Sequence, residues 1–458
     1  MTGLAFLILF VAVILGYSLN RMAADQIKSR GARMHSLTGF HGLYSALLVA
    51  VPGLIVILAW LAFQPVIVER SVMAGLPDGV LDGLDTGAVS LVLAEIKSIA
   101  RGQVFGTPED WKFAAAETLT ARNASASLAL VVVIALMSVA MIAFSRSRVS
   151  ADFRARHGVE RIITGLMIFC STIAIFTTIG IVLSLLFESI KFFRMVPLNE
   201  FLFGLRWEPQ IAIRADQVAG QGAFGVVPVI LGSVLIMLIS LVVAVPIGLF
   251  SAIYLNEFAS PRVRNIVKPT LEILAGVPTI VYGFFAILVV APFLRASGAS
   301  MGLEISPNTA LAAGICMAIM LIPFISSFAD DALSAVPRAL ADGSLALGAT
   351  RGETMLKILF PAAIPGIVGG ILLAVSRAIG ETMIVVMAAG IIASLTLNPL
   401  DSVTTVTVQI VTLLIGDTEF DNPKTLAAFA LGSLLFLITL CINILALRIV
   451  RKYREQYD

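Results

Sequence analysis

The chain has 458 residues, of which 59% are hydrophobic and only 13% are charged. Its mean hydropathy of +0.99 lies far above that of soluble proteins and excludes an ordinary globular domain in water. The formal net charge of +2 comes with basic residues scattered over short loops, which excludes the basic patch of a nucleic-acid-binding protein. The composition therefore predicts an all-α polytopic membrane protein, with the lipid bilayer as its solvent.

Nine apolar segments are long enough to cross a bilayer as helices of about 20 residues. In chain order they lie near residues 3–19, 42–63, 125–144, 162–187, 231–255, 270–294, 308–328, 363–393 and 427–449. Lys and Arg resist translocation, and one alternation of the loops places 19 of the 31 basic residues on the cytoplasmic side. This alternation predicts an N-terminus outside the cytoplasm and a C-terminus inside it.

The first three segments form a predicted N-terminal extension, residues 1–160, whose role the sequence leaves open. Its external stretch, residues 64–124, is rich in Pro, Gly and Asp, which favours a small loop-rich cap or a partly helical excursion. The other six segments form a predicted core, residues 161–458, with a cytoplasmic loop at residues 331–361. Six spans are enough to form a pathway when two such subunits pack together.

The polar stretch between the seventh and eighth segments gives the clearest functional signal. Pro337 suits the first turn of a helix, and Gly348 suits the left-handed residue that ends one. Leu340, Ser344 and Leu347 fall on one face of this short helix, which is too short to be stable alone in water. The stretch is therefore predicted to dock on a partner.

The spacing in this loop resembles that of the cytoplasmic docking loop in permease subunits of ATP-binding-cassette (ABC) importers. The family pattern is Glu-Ala-Ala, three residues, Gly, nine residues, then Ile-x-Leu-Pro. This chain keeps the spacing with relaxed identities at Asp342, Gly343, Ser344, Gly348, Ile358 and Pro361. The resemblance implies a six-helix type I ABC importer permease core that docks on an ATPase. An ordinary amphipathic surface hairpin is the alternative.

The sequence gives no sign of a catalytic site. It contains no Gly-x-x-x-x-Gly-Lys-Ser/Thr phosphate loop, so ATP hydrolysis would belong to another subunit. His35, His41 and His157 have no acidic or cysteine residues converging on them, which argues against a membrane-embedded enzyme. We therefore expect a non-catalytic subunit without a metal or cofactor of its own, while a partner ATPase binds ATP and Mg.

The eighth apolar segment carries a charged pair. Arg377 is the only Lys or Arg well inside a predicted span and lies near the middle of the run from Ala362 to Ala393, with Glu381 one turn later on the same face. A basic side chain at the bilayer centre costs about 2.5–3.5 kcal/mol, so Arg377 should face a polar interior. There its planar guanidinium would attract an oxyanion, and Glu381 would restrain that attraction so that the ion can leave. A structural ion pair is the alternative.

The run from Arg377 to Met383, Arg-Ala-Ile-Gly-Glu-Thr-Met, is similar to the intramembrane signature of PstC-type permeases in bacterial phosphate importers. Roughly residues 160–458 resemble this family. The run from Leu274 to Gly283 also resembles a segment shared by both phosphate permeases, and within it Gly276 and Pro278 predict a hinge or a merely tolerated kink.

The resemblance implies a multi-pass protein of the bacterial inner membrane that moves phosphate. Its implied partners are a homologous PstA-type permease, a PstB-type ATPase dimer and a PstS-type periplasmic phosphate-binding protein. Three alternatives stay open: the PstA-type sister permease, a permease for phosphonate, sulfate or molybdate, and an ion-coupled secondary anion carrier. The last explains the charged pair but not the docking loop.

Overall fold

The computed structural model describes residues 2–77, 80, 86–104, 106, 108–210, 222–415 and 422–454. The helices of the first part of the chain are α1 (Thr2–Ser29), α2 (Thr38–Met73), α3 (Thr86–Ala100), α4 (Asp110–Ser147), α5 (Ala155–Met195) and α6 (Leu198–Phe203). A small antiparallel sheet then pairs β1 (Trp207–Glu208) with β2 (Ala223–Phe224).

The remaining helices are α7 (Val227–Ile253), α8 (Pro261–Ala275), α9 (Thr279–Phe285), α10 (Ala291–Ser300), α11 (Ala310–Ser334), α12 (Arg338–Ala346), α13 (Arg351–Thr354), α14 (Phe360–Ile379), α15 (Met383–Ala388), α16 (Val406–Leu414) and α17 (Pro423–Arg454). Three π-helical turns interrupt or extend them, at Tyr254–Phe258, Ala286–Val290 and Met355–Leu359.

Nine helical stretches among the described residues are long and apolar enough to cross a membrane. This confirms the predicted number of spans, and each stretch overlaps one predicted segment. The sixth begins later than expected, at Thr279, because α8 is a separate helix. Which side of the membrane each end faces stays a prediction.

Two compact units divide the chain, one up to Phe176 and one from Thr177, with the boundary inside α5. In the first unit, α1, α2 and α4 pack around an apolar cluster that includes Leu9, Ile57 and Leu130. A second contact, between polar groups, joins the same helices.

This polar contact centres on Asn20 of α1. Its side-chain amide lies 2.9 Å from the hydroxyl of Ser45 and 3.2 Å from that of Ser145, and the two hydroxyls are themselves hydrogen-bonded at 2.7 Å. All three residues are buried. The contact therefore fixes how α1, α2 and α4 are aligned along one another.

The stretch predicted to be external, residues 64–124, is mostly helical where the structure describes it, so the loop-rich alternative is wrong. α2 extends to Met73, α3 follows, and α4 begins at Asp110. Val72, Ile96 and Leu119 bury their side chains in one apolar cluster between these helices. Among the described residues, Gly75, Pro77, Gly102, Gly106 and Pro108 lie between helices, which is why the composition suggested loops.

The centre of the second unit is the contact between α7 and α11. α11 is the most buried of the nine spanning stretches, with 61% of its apolar window inside the protein. Gly314 of α11 lies so close to α7 that an added Cβ would meet Cγ2 of Ile239 at 2.5 Å. Small residues thus permit the close helix approach on which this unit depends.

We expect Gly314→Ala to destabilise the purified protein by about 1–3 kcal/mol, because the methyl group overpacks the contact with Ile239. The measurement is the midpoint of thermal unfolding in detergent. Gly180→Ala in α5 is the matched control, since no heavy atom lies within 4 Å of the position of its Cβ. Equal unfolding midpoints for the two variants would contradict this view of the α7–α11 contact.

Each π-helical turn precedes a proline by two or three residues, and these prolines are Pro261, Pro292 and Pro361. Proline has no backbone N–H and clashes with the preceding turn of an α-helix. A wider turn relieves this conflict: the N–H of Phe360, just before Pro361, bonds to the carbonyl of Met355 five residues back. The helix therefore continues through Pro361 into α14.

Candidate functional site

The predicted docking helix is present as α12, between the ends of two spanning stretches. Pro337 precedes it as the N-cap, with φ −58° and ψ 126°, so it lies one residue outside the first turn in which it was expected. Gly348 has φ +90°, which confirms the predicted left-handed residue. The N–H groups of Gly348 and Ala349 bond to the carbonyls of Leu345 and Ser344, and this pair of bonds is a Schellman motif that ends the helix.

The side chains at the predicted docking face of α12 differ in their exposure to solvent. Ser344 is only 7% exposed, and its hydroxyl lies 2.9 Å from that of Thr354. Leu347 is 91% exposed and Leu340 is 44% exposed. The expected common face is therefore wrong for Ser344, which fastens α12 to α13, whereas the two leucines remain available to a partner.

The segment after α12 is held by a capping box that the sequence reasoning missed. The hydroxyl of Thr350 accepts from the N–H of Glu353, and the Glu353 carboxylate accepts from the N–H of Thr350 at 3.0 Å. The signal was readable as Thr-x-x-Glu at the start of a helix. This box gives the docking loop a fixed second arm.

The other residues of the docking pattern lie on both arms of the loop. Asp342 and Gly343 are exposed on α12, and an added Cβ at Gly343 would touch nothing within 4 Å. Ile358 lies in the last π-helical turn and Pro361 in the first turn of α14, and both are half-buried. Nothing inside the described chain requires a small residue at 343, so a role in docking stays a prediction.

Arg377 lies near the end of α14, not in the middle of a long helix. α14 stops at Ile379, and the predicted apolar run is broken into α14, α15 and a non-helical stretch. The guanidinium of Arg377 is exposed and lies over the ring of Phe324, 5.8 Å from its centroid. Among the residues that the structure describes, no carboxylate oxygen lies within 4.0 Å of this guanidinium.

Glu381 follows the break and is 9% exposed. Its Oε1 accepts from the N–H groups of Met383 and Ile384 at 3.0 and 3.2 Å, so the carboxylate caps the start of α15. The hydroxyl of Thr407 donates to the Glu381 backbone carbonyl at 2.9 Å. The prediction that Glu381 lies one turn along the same helix as Arg377 is wrong, because Gly380 ends α14 between them.

The predicted hinge residues lie at a joint between two helices. α8 ends at Ala275, Gly276 follows as its C-cap, and Pro278 is the N-cap of α9. The hydroxyl of Tyr282 in α9 donates across the joint to the carbonyl of Leu274 at 2.8 Å. The sequence thus located a helix break correctly, although it placed the break inside a span; movement at the joint stays a prediction.

Comparison with known proteins identifies the family to which this structure belongs. Residues 6–177 match a family model described as a phosphate ATP-binding cassette transporter, and residues 244–455 match the binding-protein-dependent transport system inner membrane component. A probable ABC transporter permease protein, YqgH of Bacillus subtilis, is 32% identical over 288 residues, which cover 61% of this chain and 88% of the relative. The phosphate transport system permease protein PstC of Mesorhizobium japonicum is 32% identical over 241 residues, which cover 49% and 72%.

The chain belongs to the PstC-type family of ABC transporter permeases. This PstC-type permease is a multi-pass protein of the inner membrane. Among solved structures, a bacterial alginate ABC transporter in complex with its periplasmic protein aligns with a TM-score of 0.44 at 15% identity, covering 65% of this chain and 96% of that chain. Both α12 and Arg377 of the PstC-type permease fall within the residues matched to the inner membrane component.

Proposed function

We propose that this chain is the transmembrane permease subunit of an ABC importer that moves inorganic phosphate into the cytoplasm. The observation that carries the proposal is an arginine, Arg377, that has no carboxylate partner among the described residues and lies in a spanning helix of a PstC-type chain. Several relatives of this chain are phosphate transport system permeases. A fixed cation in such a position suits an anionic substrate.

Arg377 would contact phosphate in transit. Its guanidinium carries a permanent charge and five N–H donors in a planar fork that matches two oxyanion oxygens. The only described partner of the guanidinium is the face of Phe324, an interaction worth about 0.5–1 kcal/mol when exposed. An incoming oxyanion therefore competes with a weak contact instead of an ion pair, and weak binding suits a conduit.

Glu381 would distinguish phosphate from sulfate. Its Oε1 is occupied by two backbone N–H groups, whereas no described residue donates to its Oε2. Phosphate at neutral pH keeps a P–O–H group that can donate a hydrogen bond to Oε2. Sulfate is fully deprotonated, so it has no donor and would be repelled by the negative charge of the carboxylate. The capping bonds also hold the carboxylate in place while the ion passes.

The permease would not hydrolyse ATP itself. Leu347, held out at the end of α12, would enter a groove on a separate ATPase, as expected of a PstB-type dimer that binds ATP and Mg. A PstA-type permease would supply the other half of the pathway, and a PstS-type protein would deliver phosphate. ATP binding closes the ATPase pair and shifts the permease toward an outward-open state, and hydrolysis reverses that bias.

The experiment is phosphate-dependent ATP hydrolysis by the reconstituted complex of both permeases, the ATPase and the binding protein. We expect the phosphate-loaded binding protein to raise the hydrolysis rate, and sulfate to leave it unchanged. A complex that responds equally to sulfate, or to neither anion, would refute phosphate import as the function.

Glu381→Gln is expected to blunt this discrimination. Gln keeps the acceptor that caps α15 but loses the charge, and its amide meets the P–O–H with a donor. Hydrogen bonds to charged groups contribute about 1.5–3 kcal/mol, so the preference for phosphate should fall about tenfold or more. The measurement is competition of unlabelled sulfate against phosphate uptake.

Glu304→Gln is the matched control for this variant, since Glu304 is an exposed carboxylate in the connection between α10 and α11. Normal phosphate preference in Glu381→Gln, at normal expression, would remove Glu381 from the selectivity site.

A further inference from the structure

A buried carboxylate joins three elements at the end of the second unit where α12 lies. Asp330 of α11 has only 4% of its side chain exposed. It accepts from Lys268 at 2.6 Å and from Arg264 at 3.0 and 3.1 Å, both on α8, and from the side-chain amide of Asn256 at 2.8 Å. Asn256 belongs to the π-helical turn that ends the α7 span and also bonds to Ser334 at 2.8 Å.

These contacts satisfy the carboxylate completely. Two positive charges and one amide converge on its two oxygens, and the hydrogen bond to Asp330 raises the pKa of Lys268, so that its ammonium stays charged. Removing one partner of a buried ion pair leaves an uncompensated charge and is strongly unfavourable. Lys268 and Arg264 are each about a third exposed, so the cost of separation falls on the buried Asp330, which would keep only Asn256 as a partner.

The cluster around Asp330 fastens α8 to α11. No residue of α8 is buried, and several of its apolar side chains, such as Ile266 and Ile273, are exposed. A helix with so little buried apolar surface has little else to fix its position. Its two basic residues on Asp330 are thus its main attachment to α11 among the described contacts.

Asp330 also lies between the docking helix and the helices that lead to Glu381. It is in the last part of α11, just before Pro337 and the docking helix α12. At its other end α8 leads through the Gly276–Pro278 joint into α9. α9 approaches α15 so closely that a Cβ at Gly283 would meet the sulfur of Met387 at 2.8 Å, and α15 is the helix that Glu381 caps.

We propose that Asp330 is a positioning residue that ties α8 to α11. The two helices then move as one rigid body and carry movement of the docking loop to α9 and α15. The inference rests on the proposed function, because it assigns a route from the ATPase to the ion pathway. The tie stays closed through the transport cycle, and the Gly276–Pro278 joint absorbs the bending.

The first test is Asp330→Asn in the full reconstituted complex. Asn keeps the shape but removes the charge that holds Lys268 and Arg264. We expect the ATPase to bind and to hydrolyse ATP as before, while phosphate moved per ATP falls about tenfold, within the range that coupling residues show. Hydrolysis and uptake falling in proportion would indicate a merely structural role and overturn the proposal.

Asp331→Asn is the matched control. The Asp331 carboxylate is 68% exposed, and its oxygen lies 3.7 Å from the Lys268 ammonium, compared with 2.6 Å for Asp330. It should leave the phosphate-to-ATP ratio unchanged. Equal ratios in the two variants, in a wild-type complex that does transport phosphate, would overturn the tie but not the proposed function. A wild-type complex that hydrolyses ATP without moving phosphate would overturn the proposed function itself.

A second test leaves the tie intact and so does not depend on how Asp330→Asn folds. Spin labels are attached at Arg262→Cys on α8 and Asp331→Cys on α11, both exposed, after replacement of Cys170, Cys316 and Cys441. We expect the same distance between labels in the nucleotide-free and ATP-bound complexes. A change of about 5 Å, one helical turn, would show that α8 and α11 separate and would overturn the proposal.

Discussion

Leu347→Asp is expected to weaken docking of the ATPase strongly while the permease remains folded. Leu347 is 91% exposed, so a polar replacement removes no contact inside the described chain. Fully burying a leucine side chain contributes about 1.5–3 kcal/mol, and a buried unpaired carboxylate in its place adds a desolvation cost. The affinity for the ATPase should fall about thirtyfold or more.

The measurement is ATPase binding to immobilised permease in detergent, together with phosphate uptake after reconstitution. Leu303→Asp is the matched control: this leucine is 50% exposed and lies between α10 and α11, at the other end of α11 from the docking loop. Wild-type affinity in Leu347→Asp would show that α12 is an ordinary surface hairpin.

Arg377→Gln is expected to reduce phosphate transport about ten- to a hundredfold, because a charge-assisted, bidentate contact with the oxyanion is lost. The fold should tolerate the change, since the side chain is exposed and its described contact is with the ring of Phe324. Arg377→Lys should be intermediate, because it keeps the charge but not the planar fork. The measurement is the initial rate of ATP-driven phosphate uptake.

The control for Arg377 is Arg295→Gln, which removes an exposed arginine from the middle of α10. It should transport normally. In Arg377→Gln the ATPase should still bind, and loss of ATPase binding in place of transport would assign Arg377 a structural role.

The presence and ends of α12 were predictable because their signals are local. Pro337 and Gly348 act through the backbone conformation of their own positions, and the structure has both at the ends of α12. The position of Ser344 was not predictable from helical spacing, since its partner is Thr354 on the second arm of the loop. The Thr350–Glu353 capping box was local and readable, and it would have indicated that second arm.

Composition singled out Arg377 and Glu381 as candidate pathway residues, but the sequence did not predict their geometry. The eighth segment was predicted to extend to residue 393 because the stretch is apolar. Hydropathy does not show that the Glu381 carboxylate caps the start of a new helix. Asp330 was missed altogether, since its partners at 256, 264 and 268 lie 62 to 74 residues away in the chain. Contacts of that separation depend on how α8 and α11 pack, and the hydrophobic periodicity of the sequence does not predict that packing.

Uptake of labelled phosphate by proteoliposomes that contain the complete complex joins docking and transport in a single measurement when Leu345→Cys, at an exposed position of α12, is available for crosslinking after replacement of Cys170, Cys316 and Cys441. We expect a crosslink from this cysteine to the ATPase, and phosphate accumulation only when ATP is present on the ATPase side. Phosphate entry that continues at the same rate without ATP, with no ATPase captured from position 345, would contradict an ATP-driven phosphate permease.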